Sequence, residues 1–184
     1  MNEDHQHHRP PGPTDRPMRG RPLARALIGA FALAASAPLL ANDLAGPELG
    51  GGFVQAARIV QLGEFNMASI DQRGVGQFAD ASQDGRGNRL DVWQGGGYDN
   101  HVRVAQWGID NSALLSQNGS GHVVTLEQRG DANLASITQY GDGRRAAIEQ
   151  FGNNNRLELV QGPSSPHVAL RQLGDGNTAS LIQY

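Results

Sequence analysis

From residue 55 onward, small and branched apolar residues alternate with polar ones in short runs, and each run closes on a glutamine: ARIVQ at 57–61, ASIDQ at 68–72, ADASQ at 79–83, LDVWQ at 90–94. Glutamines stand at 61, 72, 83, 94, 106, 117, 128, 139, 150, 161, 172 and 183. Every interval is 11 residues except one of 12, which holds Gly95, Gly96 and Gly97. Alternating runs bounded by Gly, Asn and Asp predict strand, turn, strand, turn. Helix fails on spacing and on glycine. With the glutamine facing inward, the side chains two and four positions before it face inward too, because neighbours along a strand point to opposite faces. All 24 such positions are apolar, Val124/Leu126 and Ala135/Ile137 among them. Charge falls on the other face, at Arg58, Asp80, Arg103, Glu127, Arg145 and Glu149.

The pattern Gln-x-Gly-x-x-Asn opens at Gln61, Gln83, Gln106, Gln128, Gln150 and Gln172, so the true period is about 22 residues and there are six repeats: 55–72, 77–94, 100–117, 122–139, 144–161 and 166–183. A repeat of this length means a stacked array. The expected fold is an all-β solenoid of strand-turn-strand β-arches, forming two parallel sheets around a thin dry slab. It is an amyloid-like cross-β block with rungs roughly 4.7–4.9 Å apart. The inward polar residues are then ladders, each amide bonding to the same amide one rung away. The candidate set is Gln61, Asn66 and Gln72; Gln83, Asn88 and Gln94; Gln106, Asn111 and Gln117; Gln128, Asn133 and Gln139; Gln150, Asn155 and Gln161; Gln172, Asn177 and Gln183. Gly63, Gly85, Gly108, Gly130, Gly152 and Gly174 mark the chain reversal, where positive φ is expected. Pro163 and Pro166 make the fifth arch locally irregular.

Ahead of the array, Arg16, Arg19, Arg21 and Arg25 precede the apolar run LIGAFALAASAPLLA (27–41) and a polar step at Asn42 and Asp43, the order of a secretory signal peptide. Residues 1–41 are therefore expected to be a polar leader with its signal peptide, cut after Ala41, with Met18 as a second candidate start; residues 42–54 are a linker, and residues 55–184 the solenoid. The His5, His7 and His8 tract is read as part of the leader.

Composition narrows the chemistry. The chain has 184 residues with 25 Gly, no Cys and no Lys, and a formal charge of −3 without any basic stripe. Thiolate chemistry and cysteine-ligated zinc are excluded, and no nucleic-acid partner is expected. His101, His122 and His167, near strand starts, lack a carboxylate column beside them and are read as exposed strand residues. Trp93 is expected to point outward and Trp107 to lie in a turn. Asp71 and Asp91 sit in adjacent columns, but no third group converges there to make an acid/base site. No catalytic residue, metal or cofactor is expected. A monomeric ice- or polysaccharide-binding solenoid is the competing class, although the outward columns are mixed, as in Arg58, Asp80, Arg103, Thr125, Ala147, Ala169. Turn charges at Asp84, Arg86, Asp110, Asp131 and Asp142 are either gatekeepers against premature assembly or plain solvated turn formers. A stack without atypical end units leaves an unpaired strand edge at top and bottom, a template for another chain.

The pattern S-x5-Q-x-G-x2-N-x-A-x3-Q is that of curlin repeats, and residues 55–183 resemble it throughout. Both Gln, the Gly and the Asn match in all six repeats; the Ala is kept at Ala68, Ala113, Ala135 and Ala179 and becomes Leu90 and Leu157 elsewhere. The leading Ser is replaced by Gln55, Gln77, Asn100, His122, Arg144 and Pro166. The resemblance implies a subunit of curli, the functional amyloid fibres of bacterial biofilms, exported to the cell surface as a fimbrium that serves adhesion. The implied partners are further copies of the chain, a companion curlin subunit, the outer-membrane curli secretion channel with its accessory factors, and host or abiotic surfaces. FVQAARIVQLGEFNMASIDQ (53–72) is similar to the first repeat of the family's minor, nucleating subunit, whereas the ending QY is similar to the major one.

Overall fold

The computed structural model describes residues 24–29 and 55–184. The described chain is all strand and turn. After β1 (Ala24–Gly29) come β2 (Ala56–Glu64), β3 (Met67–Gln72), β4 (Phe78–Arg86), β5 (Arg89–Gly95), β6 (His101–Ile109), β7 (Ser112–Ser120), β8 (Val123–Arg129), β9 (Leu134–Asp142), β10 (Arg145–Phe151), β11 (Arg156–Gln161), β12 (Val168–Leu173) and β13 (Thr178–Gln183). The even strands form one sheet in the order β12-β10-β8-β6-β4-β2, and the odd strands the other, β1-β3-β5-β7-β9-β11-β13. Apart from β1 every pairing is parallel, and each strand lies beside its counterpart one repeat away. The molecule is therefore a β-solenoid of six rungs.

Parallel in-register pairing follows from the repeat itself. Because side chains alternate with period 2, a slip of one residue would turn the whole apolar set outward. Gln61, Gln83, Gln106, Gln128, Gln150 and Gln172 accordingly form one continuous column. The extra residue at Gly95–Gly97 stays in the turn: Gly96 and Gly97 both take positive φ, 67° each, and the register resumes with Gln83 beside Gln106. The slab between the sheets holds all 24 inward apolar residues. Twenty are buried; Ala57, Leu170, Ala179 and Leu181, in the first and last rungs, are partly so. No neighbouring rung covers them on their outer side.

Two expectations are revised. Trp107 lies in strand β6, not in a turn, because several strands run past the glutamine through the glycine, β6 as far as Ile109. The top edge is also not fully open: β1 pairs antiparallel with β3, from Ala24 beside Gln72 to Gly29 beside Met67. An exposed edge accepts any extended segment with free backbone groups, and here it accepts six residues of the expected leader, while β2 keeps its outer edge unpaired among the described residues. The rest of the leader, the cut after Ala41 and the whole of the 42–54 linker lie outside the described residues.

Candidate functional site

Every rung is closed at its ends by inward amides, and the strands stack these into columns. In the first glutamine column Nε2 of each residue donates to Oε1 of the next: Gln61 to Gln83 at 2.7 Å, Gln83 to Gln106 at 2.7 Å, Gln106 to Gln128 at 2.8 Å, Gln128 to Gln150 at 2.8 Å and Gln150 to Gln172 at 2.7 Å. The second column runs the same way through Gln72, Gln94, Gln117, Gln139 and Gln161. It does not reach Gln183. Gln161 Nε2 donates to the Pro166 carbonyl at 2.8 Å instead, and Gln183 Oε1 is buried without a partner. Pro163 and Pro166 are the cause on sequence grounds: proline has no N–H and a fixed φ, and this arch alone starts its strand one residue late, at Val168.

Repetition alone did not reveal a second bond on the glutamines between Gln72 and Gln172. Nε2 also reaches across the slab to a carbonyl at the start of the opposite wall, as in Gln106 to Arg89 at 3.0 Å and Gln128 to Ser112 at 3.2 Å. One amide thus ties a rung to the next and one wall to the other. Both bonds give partners to a buried amide that water does not reach.

The asparagine column runs in the opposite sense. Both the backbone N–H and Nδ2 of each Asn donate to Oδ1 of the Asn before it. The Nδ2 links are Asn88 to Asn66 at 3.1 Å, Asn111 to Asn88 at 3.1 Å, Asn133 to Asn111 at 3.0 Å, Asn155 to Asn133 at 3.1 Å and Asn177 to Asn155 at 2.9 Å. Nδ2 also holds the turn glycine of the following rung, as in Asn111 to the Gly130 carbonyl at 2.7 Å. Gly63, Gly85, Gly108, Gly130, Gly152 and Gly174 all have positive φ, between 90° and 124°.

At the other turn the column reads Gln77, Asn100, His122, Arg144, Pro166, and here the reading of His122 as exposed is overturned: it is fully buried. Its N–H donates to Asn100 Oδ1 at 2.9 Å, its Nδ1 accepts from the Arg144 N–H at 3.1 Å, and Nε2 faces the Asn118 carbonyl at 3.2 Å. The imidazole takes a ladder amide's place because its two nitrogens can play donor and acceptor as an amide does. His101 and His167 are exposed.

The turn carboxylates also link rungs. Asp131 Oδ1 accepts from the Ile109 N–H at 2.9 Å, and Asp142 Oδ1 from the Ser120 N–H at 3.0 Å. On the outer faces Arg129 lies over Trp107, 4.5 Å from the ring centroid, and Arg171 lies 5.1 Å from that of Phe151. The five ion pairs are solvent-exposed, among them Arg58–Asp80 and Arg171–Glu149, and such pairs contribute about 1 kcal/mol or less each.

The ends of the stack differ in chemistry. Among the described residues nothing donates to Oε1 of Gln61 or Gln72 at the first rung, and Asn177 Oδ1 accepts from nothing at the last. Among the described residues nine large hydrophobic side chains are exposed, and six belong to the end rungs: Leu62, Phe65 and Met67 at one end, Leu173, Ile182 and Tyr184 at the other.

The family model described as the curlin associated repeat matches the chain twice, at residues 63–96 and 130–162. Neither the curated proteins nor the solved structures gave a match. Both matched stretches lie within the one continuous stack, the first spanning the second rung and the other the turn and strands that follow Gln128.

Proposed function

This is a curlin-repeat protein, and on that footing we propose that it is a structural subunit of an extracellular curli-type amyloid fibre, growing head to tail through the open ends of its solenoid and serving adhesion and the biofilm matrix. The observation that carries this reading is the complementarity of the two ends. Glutamine columns begin on free carbonyl oxygens and end on amide N–H groups, with Gln172 Nε2 turned in the single chain to the Arg156 and Asn177 carbonyls, while the asparagine column begins on N–H groups and ends on a free oxygen. A following copy placed in the same direction matches donor to acceptor in each column. A reversed copy sets oxygen against oxygen. Continuing the register, Leu173 meets Leu62 of the next copy and Tyr184 meets Arg73. A contact of this kind does not close on itself, so the product is an open filament.

The segment on β3 has a place in this scheme. While residues 24–29 occupy that edge the first rung is half covered, and removal of the leader exposes it for docking. Copies of the chain and a companion curlin subunit are the partners, reached after passage through the outer-membrane secretion channel with its accessory factors. No catalytic role is assigned.

Thioflavin fluorescence of the processed chain, cut after Ala41, tests the reading: a lag that preformed seeds abolish is expected. A chain that stays dispersed for days would instead place it with monomeric ice- or polysaccharide-binding solenoids. Strong acceleration of a companion subunit at low ratios would mark a nucleator. Leu173→Asp is expected to slow seeded elongation about tenfold or more, the equivalent of losing one buried leucine contact of about 1.5–3 kcal/mol. Because Leu173 is 59% exposed in the single chain, its β-sheet circular dichroism before assembly should be unchanged.

A further inference from the structure

We propose that His122 is a proton-operated latch of the stack: its ring must be neutral for the fourth rung to close between the third and the fifth, so acid holds the chain open and neutral pH lets it order. The inference rests on the fold and not on the fibre reading.

The geometry leaves the ring one protonation state. Nδ1 accepts the Arg144 backbone N–H and so must carry a lone pair, which puts the remaining proton on Nε2, facing the Asn118 carbonyl. A second proton would set N–H against N–H inside a closed slab, where an unpaired buried donor is costly and an unpaired buried charge more so. The glutamine and asparagine columns consist of amides, which do not titrate, and in this column Gln77 and Asn100 are amides too, so among the described residues His122 is the one imidazole built into the stack.

The surrounding groups do not rescue the charged form. From the third rung the Asn100 amide meets the His122 backbone N–H and the Asn118 carbonyl meets the ring, and neither titrates. From the neighbouring rung come the Asp142 carboxylate and Arg144. Asp142 is engaged by the Ser120 N–H, and the Arg144 guanidinium turns to the Asp142 and Ser165 carbonyls. Burial, helped by the Arg144 charge, holds the imidazole below its ordinary value of 6.5 despite the opposing pull of the Asn118 and Gly141 carbonyls and of Asp142. The ordered state thus binds fewer protons than the open chain between that lowered value and about 6.5. Its full stability is present above about 6.5 and is lost as pH falls through the lowered value.

The test compares the full chain with His122→Asn, an amide that the same column already accepts at Asn100, and with His101→Asn, which changes an exposed imidazole. Ordering is read as β-sheet circular dichroism after dilution from denaturant across pH 7.5 to 4.5. The ordering constant of the unsubstituted chain and of His101→Asn should fall by up to about tenfold per pH unit inside the window, the limit for one proton; that of His122→Asn should be flatter by that factor. Nuclear magnetic resonance of ring-labelled, unsubstituted chain should show an Nε2–H tautomer titrating below the ordinary range. An unchanged pH response in His122→Asn, or a ring that titrates normally, overturns the proposal. If His122→Asn does not order at pH 7.5, the ring titration decides. Neither readout needs fibres, so failure of the fibre reading in the thioflavin assay is told apart from failure here.

Discussion

A chain carrying Asn111→Leu is expected to lose its ordered stack, while Asn177→Leu keeps it and loses growth. The leucine is close in size to asparagine, so the difference is polar. Asn111 Nδ2 holds the partly buried Gly130 carbonyl and its Oδ1 receives the buried Asn133 N–H. Deleting the amide leaves two backbone groups without partners, at about 1–3 kcal/mol each, and removes two ladder bonds, to Asn88 and from Asn133, of about 1 kcal/mol each. A total of about 4–8 kcal/mol is comparable to the whole stability of a small domain, about 5–15 kcal/mol. Asn177 differs because nothing stacks beyond it. Asn155 Oδ1 keeps the Asn177 backbone N–H, so the loss to the single chain is about 1 kcal/mol. The Oδ1 that a next copy would use is gone, however. Circular dichroism should therefore separate the two variants before assembly, and seeded elongation should be slowed in Asn177→Leu despite its intact fold. Equal denaturant midpoints for both variants would mean that the ladders do not hold the stack.

Gly130→Ala is the second large effect, and Gly143→Ala is its control. Both glycines have positive φ, 110° at Gly130 and 73° at Gly143. The first value lies outside the left-handed basin that other residues visit near 57°. A Cβ at Gly130 would also fall inside the Gly152 carbonyl oxygen of the next rung. That oxygen already accepts Asn133 Nδ2 at 2.7 Å, so the rungs must part. A Cβ at Gly143 meets nothing within 4 Å. The expected cost is about 1–2 kcal/mol at Gly143, from backbone conformation alone, and about 3 kcal/mol or more at Gly130, where overpacking adds to it. Denaturant midpoints of the two variants measure the difference. Indistinguishable midpoints would show that the close approach of the rungs contributes nothing.

Much of this architecture was legible before any coordinates. The 24 apolar positions followed from a period of 2 counted back from each glutamine, and the parallel register followed from the identity of successive repeats. The asparagine and glutamine columns followed from both. His122 was not legible, because it precedes its strand and its column mates, the amides Gln77 and Asn100 with Arg144 and Pro166, have no single chemistry in common. Alternation assigns a face only within a strand; whether the residue before it closes the slab depends on where the turn goes. The bonds that exposed Asp131 and Asp142 make to the adjacent rung were not legible for a related reason. A carboxylate in a turn looks the same in sequence whether it faces water or an N–H of the adjacent rung. Gln183 matched its repeat yet stands outside its ladder, since the Gly162–Pro166 turn redirects Gln161.

The amino-acid sequence by itself determined the repeat, the inward and outward sets and the rung count, because these depend on periodicity, which is a local property of the chain. Only the tertiary structure decided the direction of hydrogen bonding in each column, the burial of His122, the bonds from glutamines across the slab and the covering of β3 by residues 24–29. Those depend on which groups meet across a stack, and residues far apart in the chain meet at distances that spacing along it does not set.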